Sequence, residues 1–191
     1  MLYNFLISLV DQFSVLNVFR YLTFRTGLSV MSSMIIVFVI GAPFIRFIQT
    51  HKITGPIRDD GPLDHIVKKV GTPTMGGLLI LIGILFGTLL WADLTNSYIW
   101  VLLFVATSFG LLGATDDYLK IKRNNSIGIS SGKKIISQIF LSLIAIFLLL
   151  KFGYSEHLKN LYFPFFKNLL IHLGLFFIPF AIFVIVGSSN A

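Results

Sequence analysis

The 191-residue chain contains no cysteine, which excludes disulfides, thiolate zinc sites and cysteine nucleophiles together. Charge is also scarce. Only 12% of residues are Asp, Glu, Lys or Arg, against about 25% in soluble domains. No early basic stretch leads into a short apolar run with a small-residue cleavage site, so no cleaved signal peptide is expected. What the chain has instead is apolar residues in long blocks: 55% are hydrophobic, 20 are Phe, and the mean hydropathy is +0.88. These values exclude disorder and a soluble single domain. The chain is expected to be an integral membrane protein.

Crossing the hydrocarbon takes about 20 apolar residues as helix, with a range of about 17–25. Five candidate spans meet or approach this: 28–48, 76–92, 97–115, 135–152 and 173–188. The expected fold is therefore all-α, a polytopic transmembrane helix bundle forming one integral membrane domain over 1–191. The stretch before the first span, Met1 to Phe24 with the adjoining Arg25, carries Asp11, Arg20 and Arg25 and reads as interfacial.

Lys and Arg are unevenly shared among the connections. Loop 49–75 holds Lys52, Arg58, Lys68 and Lys69, and loop 116–134 holds Lys120, Lys122, Arg123, Lys133 and Lys134. Loop 93–96 holds none, and loop 153–172 holds only Lys159 and Lys167. The positive-inside rule puts the two basic loops in the cytoplasm and the N-terminus outside. The net charge of +7 is thus topogenic and gives no reason to expect a nucleic-acid partner. Tyr162, Phe163, Phe165 and Phe166 in the outer loop read as an interfacial aromatic belt.

Three polar clusters fall on the cytoplasmic side. In Gly113-Ala-Thr-Asp-Asp-Tyr-Leu-Lys120, two adjacent carboxylates follow an apolar span, where something must neutralise them. Mg²⁺ is one candidate, since it takes one or two carboxylates and completes its shell with waters and phosphates. Lys120 is another, because it shares a helical face with both acids. A solvated helix end with an internal ion pair is the plain alternative. The second cluster is Gly71-Thr-Pro-Thr-Met-Gly-Gly77, preceded by Lys68-Lys69. Its glycines allow close approach to a phosphate, and Pro73 is placed to open the next helix. The alternative is an ordinary loop-to-helix turn. The third runs from Asn124-Asn-Ser-Ile-Gly128 through Gly132-Lys133-Lys134, and is either topogenic or a source of lysines for phosphate. Carboxylates, lysines and a Gly-rich turn facing a bilayer suit transfer of a phosphorylated group onto a lipid carrier.

Arg58-Asp-Asp-Gly-Pro62, Gly71-Thr-Pro-Thr-Met-Gly-Gly77 and Asp116-Asp-Tyr-Leu-Lys120 resemble the phospho-N-acetylmuramoyl-pentapeptide-transferase family. That family lies within the polyprenyl-phosphate N-acetylhexosamine-1-phosphate transferases. The resemblance extends from Asn17–Arg25 to Val184–Gly187. It implies Mg²⁺-dependent transfer of phospho-MurNAc-pentapeptide from UDP-MurNAc-pentapeptide to undecaprenyl phosphate, giving lipid I and UMP, the first membrane step of peptidoglycan synthesis. The setting implied is the bacterial cytoplasmic membrane, with the active face in the cytoplasm. Asp116 and Asp117 match the family's catalytic acids: Asp116 is the candidate base and Asp117 the acid that holds metal or orients a lysine, with the division of roles between them left open. Lys69, Thr72, Thr74, Lys120, Lys134 and Asn190 match substrate-binding positions. A homodimer is a partner arrangement to be tested.

The chain departs from the pattern in two places. One extra residue separates His65 from Gly71, and the chain stops at Ser189-Asn190-Ala191, where the family continues into further acids and spans. Little or no activity is therefore expected of residues 1–191 alone. The competing readings are a non-catalytic remnant, a GlcNAc-1-phosphate transferase, and a small transporter with the acid pair as cation site.

Overall fold

The structure is a computed structural model that describes residues 1–51, 75–123, 128–153, 156–163 and 166–190. Helices dominate it, in keeping with the all-α expectation. They are α1 (Leu2–Ser8), α2 (Leu22–Thr50), α3 (Gly76–Trp91), α4 (Ser97–Arg123), α5 (Ser131–Phe152) and α6 (Phe177–Asn190). Among the described residues α2, α4 and α5 are long and apolar enough to cross a membrane, while α3 and α6 are shorter apolar helices. The chain forms two compact units: Met1–Thr95 with Ala106–Ser130, and Asn96–Val105 with Ser131–Ala191.

Helix ends differ from the expected ones for local reasons. α2 starts at Leu22, so Arg25 lies inside a helix, and α1 with a 3₁₀ segment at Ser14–Arg20 precedes it. Neither of these is long enough to span. α4 does not stop near Thr115 but runs to Arg123. No Gly or Pro interrupts Asp-Asp-Tyr-Leu-Lys-Ile-Lys-Arg, and Lys120, Lys122 and Arg123 in the last turn suit the negative end of the helix dipole. The acid pair therefore sits on the helix, not after it. The stretch read as an aromatic-belt loop contains an antiparallel hairpin, β1 (Asn160–Phe163) and β2 (Phe166–His172), pairing Asn160 with His172 and Tyr162 with Leu170. Aromatic and branched residues on both arms favour extended backbone, which the search for 20-residue apolar runs passes over.

In the first unit α2 packs on α3 along rows spaced four apart, Ser29-Ser33-Val37-Gly41 against Leu79-Gly83-Gly87, with a glycine at each close approach. A Cβ on Gly87 would strike the Ser33 hydroxyl and lie 2.8 Å from the Ser29 carbonyl oxygen. On Gly83 it would lie 2.7 Å from Val37 Cγ2. In lipid, where apolar burial gives little drive, such close backbone approach is what lets dispersion hold two helices together. Trp91 closes the seam: its Nε1 donates to Ser32 Oγ at 2.9 Å, and its ring stacks on Phe19 at 5.8 Å. At the turn beyond α3, Asp93 accepts from the Thr95 hydroxyl at 2.7 Å and the Thr95 N–H at 3.1 Å. The Thr95 hydroxyl, aided by that N–H and by Arg25, holds the Asp93 carboxyl below its ordinary range despite partial burial.

In the second unit a buried amide ties α5 to α6. Gln138 is only 2% exposed. It accepts from Asn190 Nδ2 at 2.8 Å and donates through Nε2 to Ser189 Oγ at 3.1 Å. An amide this deep in an apolar helix must be paired.

Candidate functional site

The acid pair occupies the last two turns of α4. Lys120 Nζ lies 2.6 Å from Asp116 Oδ2 and 3.6 Å from Asp117 Oδ1, the i,i+4 and i,i+3 spacings that bring side chains together on a helix. The lysine was expected on this face, and it reaches both acids. The carboxylates differ in surroundings: the Asp116 side chain is 12% exposed and that of Asp117 is 41% exposed. Asp116 is held by more than Lys120. Its Oδ1 accepts the Ile129 N–H at 2.7 Å, and Arg123 Nη1 donates to the neighbouring Gly128 carbonyl at 3.2 Å. Two carboxylates close to the negative end of a helix dipole repel it, and an ammonium plus a backbone N–H offset that repulsion.

The helix that follows the Gly-rich turn, α3, meets α4 in the same unit. Met75 precedes α3 in a left-handed conformation (φ 67°, ψ 21°), the one non-glycine residue with positive φ among those described. Among the described residues, Cβ atoms on Gly76 and Gly77 would meet nothing within 4 Å. Five residues on, Leu81 packs on Gly110 of α4, where a Cβ would lie 2.6 Å from Leu81 Cδ2. α3 and α4 are consecutive and joined by the short 92–96 connection, so they run in opposite directions. From that contact, five residues back to Gly76 and six forward to Asp116 each rise roughly 8–9 Å, toward the same end. The start of α3 and the acid pair thus share one end of this unit.

Lys69, Thr72 and Thr74, with Arg58, His65 and Pro73, lie outside the described residues. Lys134 stands in the first turn of α5, and Asn190 at the end of α6 bonded to Gln138. Two features escaped sequence reasoning. The Ile129 N–H on Asp116 has no signal in its own residue type, and Gly128 beside it was read only as part of a basic cluster, whereas Gln138, a lone amide in an apolar run, was a readable signal.

Among the described residues no three His, Cys, Asp or Glu side chains converge as a ready metal cage. Mg²⁺ does not require one, because it keeps several waters and shares substrate phosphates with one or two carboxylates. Asp117, the more exposed acid, fits that role.

A signature described as "Phospho-N-acetylmuramoyl-pentapeptide-transferase signature 1" matches residues 69–81, which include the Gly-rich turn and Leu81. The chain carries the signature of the phospho-N-acetylmuramoyl-pentapeptide-transferase family. Curated relatives of that name agree with it along the whole chain. The Pelagibacter ubique protein is 62% identical over 191 residues, and that of Thermodesulfovibrio yellowstonii 47% over 192. The Rickettsia canadensis protein is 47% identical over 196 residues. Each match covers 100% of this chain and 53% of the relative, so the chain spans about half the length of the curated transferases it matches. The apolar helices, together with the similarity to these relatives, support a multi-pass membrane protein.

Proposed function

We propose that residues 1–191 belong to a bacterial membrane transferase. It moves phospho-MurNAc-pentapeptide from UDP-MurNAc-pentapeptide to undecaprenyl phosphate and releases UMP, in the first membrane step of peptidoglycan synthesis. One observation carries the reading: a buried Asp116 clamped to Lys120, beside an exposed Asp117, at the same end of the unit as the start of α3, which lies within the signature match at 69–81. In the reaction an oxygen of the lipid phosphate forms a bond to the sugar-linked phosphorus. The phosphorus–oxygen bond to UMP breaks, and its electron pair leaves on the UMP phosphate. Asp116 takes the proton from lipid phosphate that arrives as the monoanion; a phosphate monoester loses its second proton near pH ~6, so much of the acceptor needs no base at neutral pH. Lys120, held by Asp116, offers its ammonium to phosphoryl oxygens as charge shifts toward UMP. Mg²⁺, held by Asp117, would offset negative charge on those oxygens when bound.

Lys69, Thr72, Thr74, Lys134 and Asn190 are proposed to contact the phosphates and the nucleotide. The site faces the cytoplasm in a single five-span domain of the cytoplasmic membrane, a placement supported by the basic loops. The test uses the native membrane protein that carries this sequence, supplied with undecaprenyl phosphate and either UDP-MurNAc-pentapeptide or UDP-GlcNAc. UMP release with the muramoyl donor only, lowered at least about 100-fold in Asp116→Asn and Asp117→Asn, is the expected result. Turnover of UDP-GlcNAc, or full activity in both variants, would overturn it.

A further inference from the structure

The geometry points to Gly128 as a positioning residue for Asp116: because position 128 has no side chain, the main chain of 128–129 lies against the carboxylate and holds it. Gly174 is the one described glycine with positive φ, so Gly128 is not there to reach a left-handed conformation. It is there for room. A Cβ at 128 would fall on Asp116 Oδ1, 2.7 Å from its Cγ and 3.0 Å from the Asp116 main-chain oxygen. That last atom belongs to the backbone of α4 and would need a few tenths of an ångström of relief, whereas the carboxylate itself would have to swing away or the 128–129 segment step back. Any side chain at 128 would therefore displace either the carboxylate or the 128–129 segment, and either movement breaks the Ile129 N–H bond to Asp116.

One face of α4 builds the seat. Asp116, Lys120 and Arg123 stand at i, i+4 and i+7. Lys120 takes Oδ2, the Ile129 N–H takes Oδ1, and Arg123 Nη1 holds the Gly128 carbonyl from the next turn. Asp116 thus has a described partner on each oxygen and a fixed orientation, and it fixes Lys120 in turn. Asp117, about 100° further round the helix, is left facing outward. The seat itself stands on geometry alone; its catalytic consequence rests on the proposed transfer reaction.

The experiment has one readout independent of activity and one that depends on it. The first is residue-resolved hydrogen exchange of the Ile129 amide in the native protein. Gly128→Ala and Asp116→Ala are expected to speed exchange about 10- to 100-fold, the range for losing a hydrogen bond to a charged group, and Asp117→Ala to leave it unchanged. Arg123→Gln, which adds no bulk, is expected to show a smaller rise and carries the test if Gly128→Ala fails to fold. Equal exchange in wild type, Arg123→Gln and Asp116→Ala would overturn the proposal. The second readout is kinetic. Gly128→Ala, or Arg123→Gln in its place, is expected to lower kcat while the donor KM stays within about twofold, the mark of orientation lost at the reacting groups. A raised KM with unchanged kcat would overturn the positioning role. A wild-type protein that transfers no muramoyl phosphate would overturn the reaction proposed above, and the exchange pattern would still decide the seat.

Discussion

Replacing Gly87 by alanine tests whether α2 and α3 are held by backbone proximity, and the structure sets the outcome by opposing two effects. Alanine favours a helix interior by up to about 1 kcal/mol over glycine. Overpacking a tight contact costs about 1–3 kcal/mol. At Gly41 the nearest atom to an added Cβ is Leu79 Cδ2 at 3.6 Å, an ordinary contact, so the helix gain stands. At Gly83 the obstacle is Val37 Cγ2 at 2.7 Å, a methyl on a β-branched side chain with little freedom to turn, but the nearest backbone atom, the Ser33 carbonyl oxygen, is at an ordinary 3.5 Å. At Gly87 the obstacles are the Ser33 hydroxyl and the Ser29 carbonyl oxygen at 2.8 Å. The carbonyl is helix backbone, so the helices must part. Gly87→Ala is expected to fall about 2 kcal/mol below Gly41→Ala, with Gly83→Ala between them. Trp91 reports on this seam through its bond to Ser32 and its stack on Phe19. In a Trp100→Phe background it is the sole tryptophan of the chain's two. Unfolding in mixed micelles with rising SDS, followed by Trp91 fluorescence, gives the three values. Gly87→Ala as stable as Gly41→Ala would refute the seam.

Three further outcomes follow from single features. Met75→Gly removes a left-handed non-glycine residue and should raise stability by about 0.5–1 kcal/mol in the same unfolding assay, whereas Met75→Val should lower it. Asp93 has its carboxyl pKa depressed by the Thr95 hydroxyl, so its contribution to stability is fully present above the ordinary carboxylate pKa and fades as pH falls through the lower folded value. A carboxyl NMR titration of Asp93 should move toward the ordinary value in Thr95→Val, and an unchanged midpoint would contradict the assignment. Gln138→Leu and Asn190→Leu, measured singly and together, should show a coupling of about 0.6–1.7 kcal/mol; additive losses would mean that the amide pair does not join α5 to α6.

Much was legible without coordinates because lipid imposes few solutions. A chain with so little charge and such long apolar runs must satisfy its backbone internally, so five apolar helices could be placed from composition alone. Asp116, Asp117 and Lys120 could be grouped because helical spacing is local: residues three and four apart share a face whatever surrounds them. The seven-residue turn carried the family resemblance by its residues alone, and the signature match at 69–81 falls on it. Pairing between distant segments was hidden, because no period in the chain encodes it. That Gly87 abuts Ser29, that Gly110 receives Leu81, and that an N–H thirteen residues downstream holds Asp116 depend on which backbones approach closely in space. The extension of α4 to Arg123 and the hairpin at 160–172 were missed because span-finding reads hydropathy, while hydrogen bonds set where helices end and strands pair. The residue types thus determined the helices and the chemistry available to the site. The tertiary structure alone decided which carboxylate is held and which is left exposed, since that choice rests on a glycine too small to keep two stretches of backbone apart.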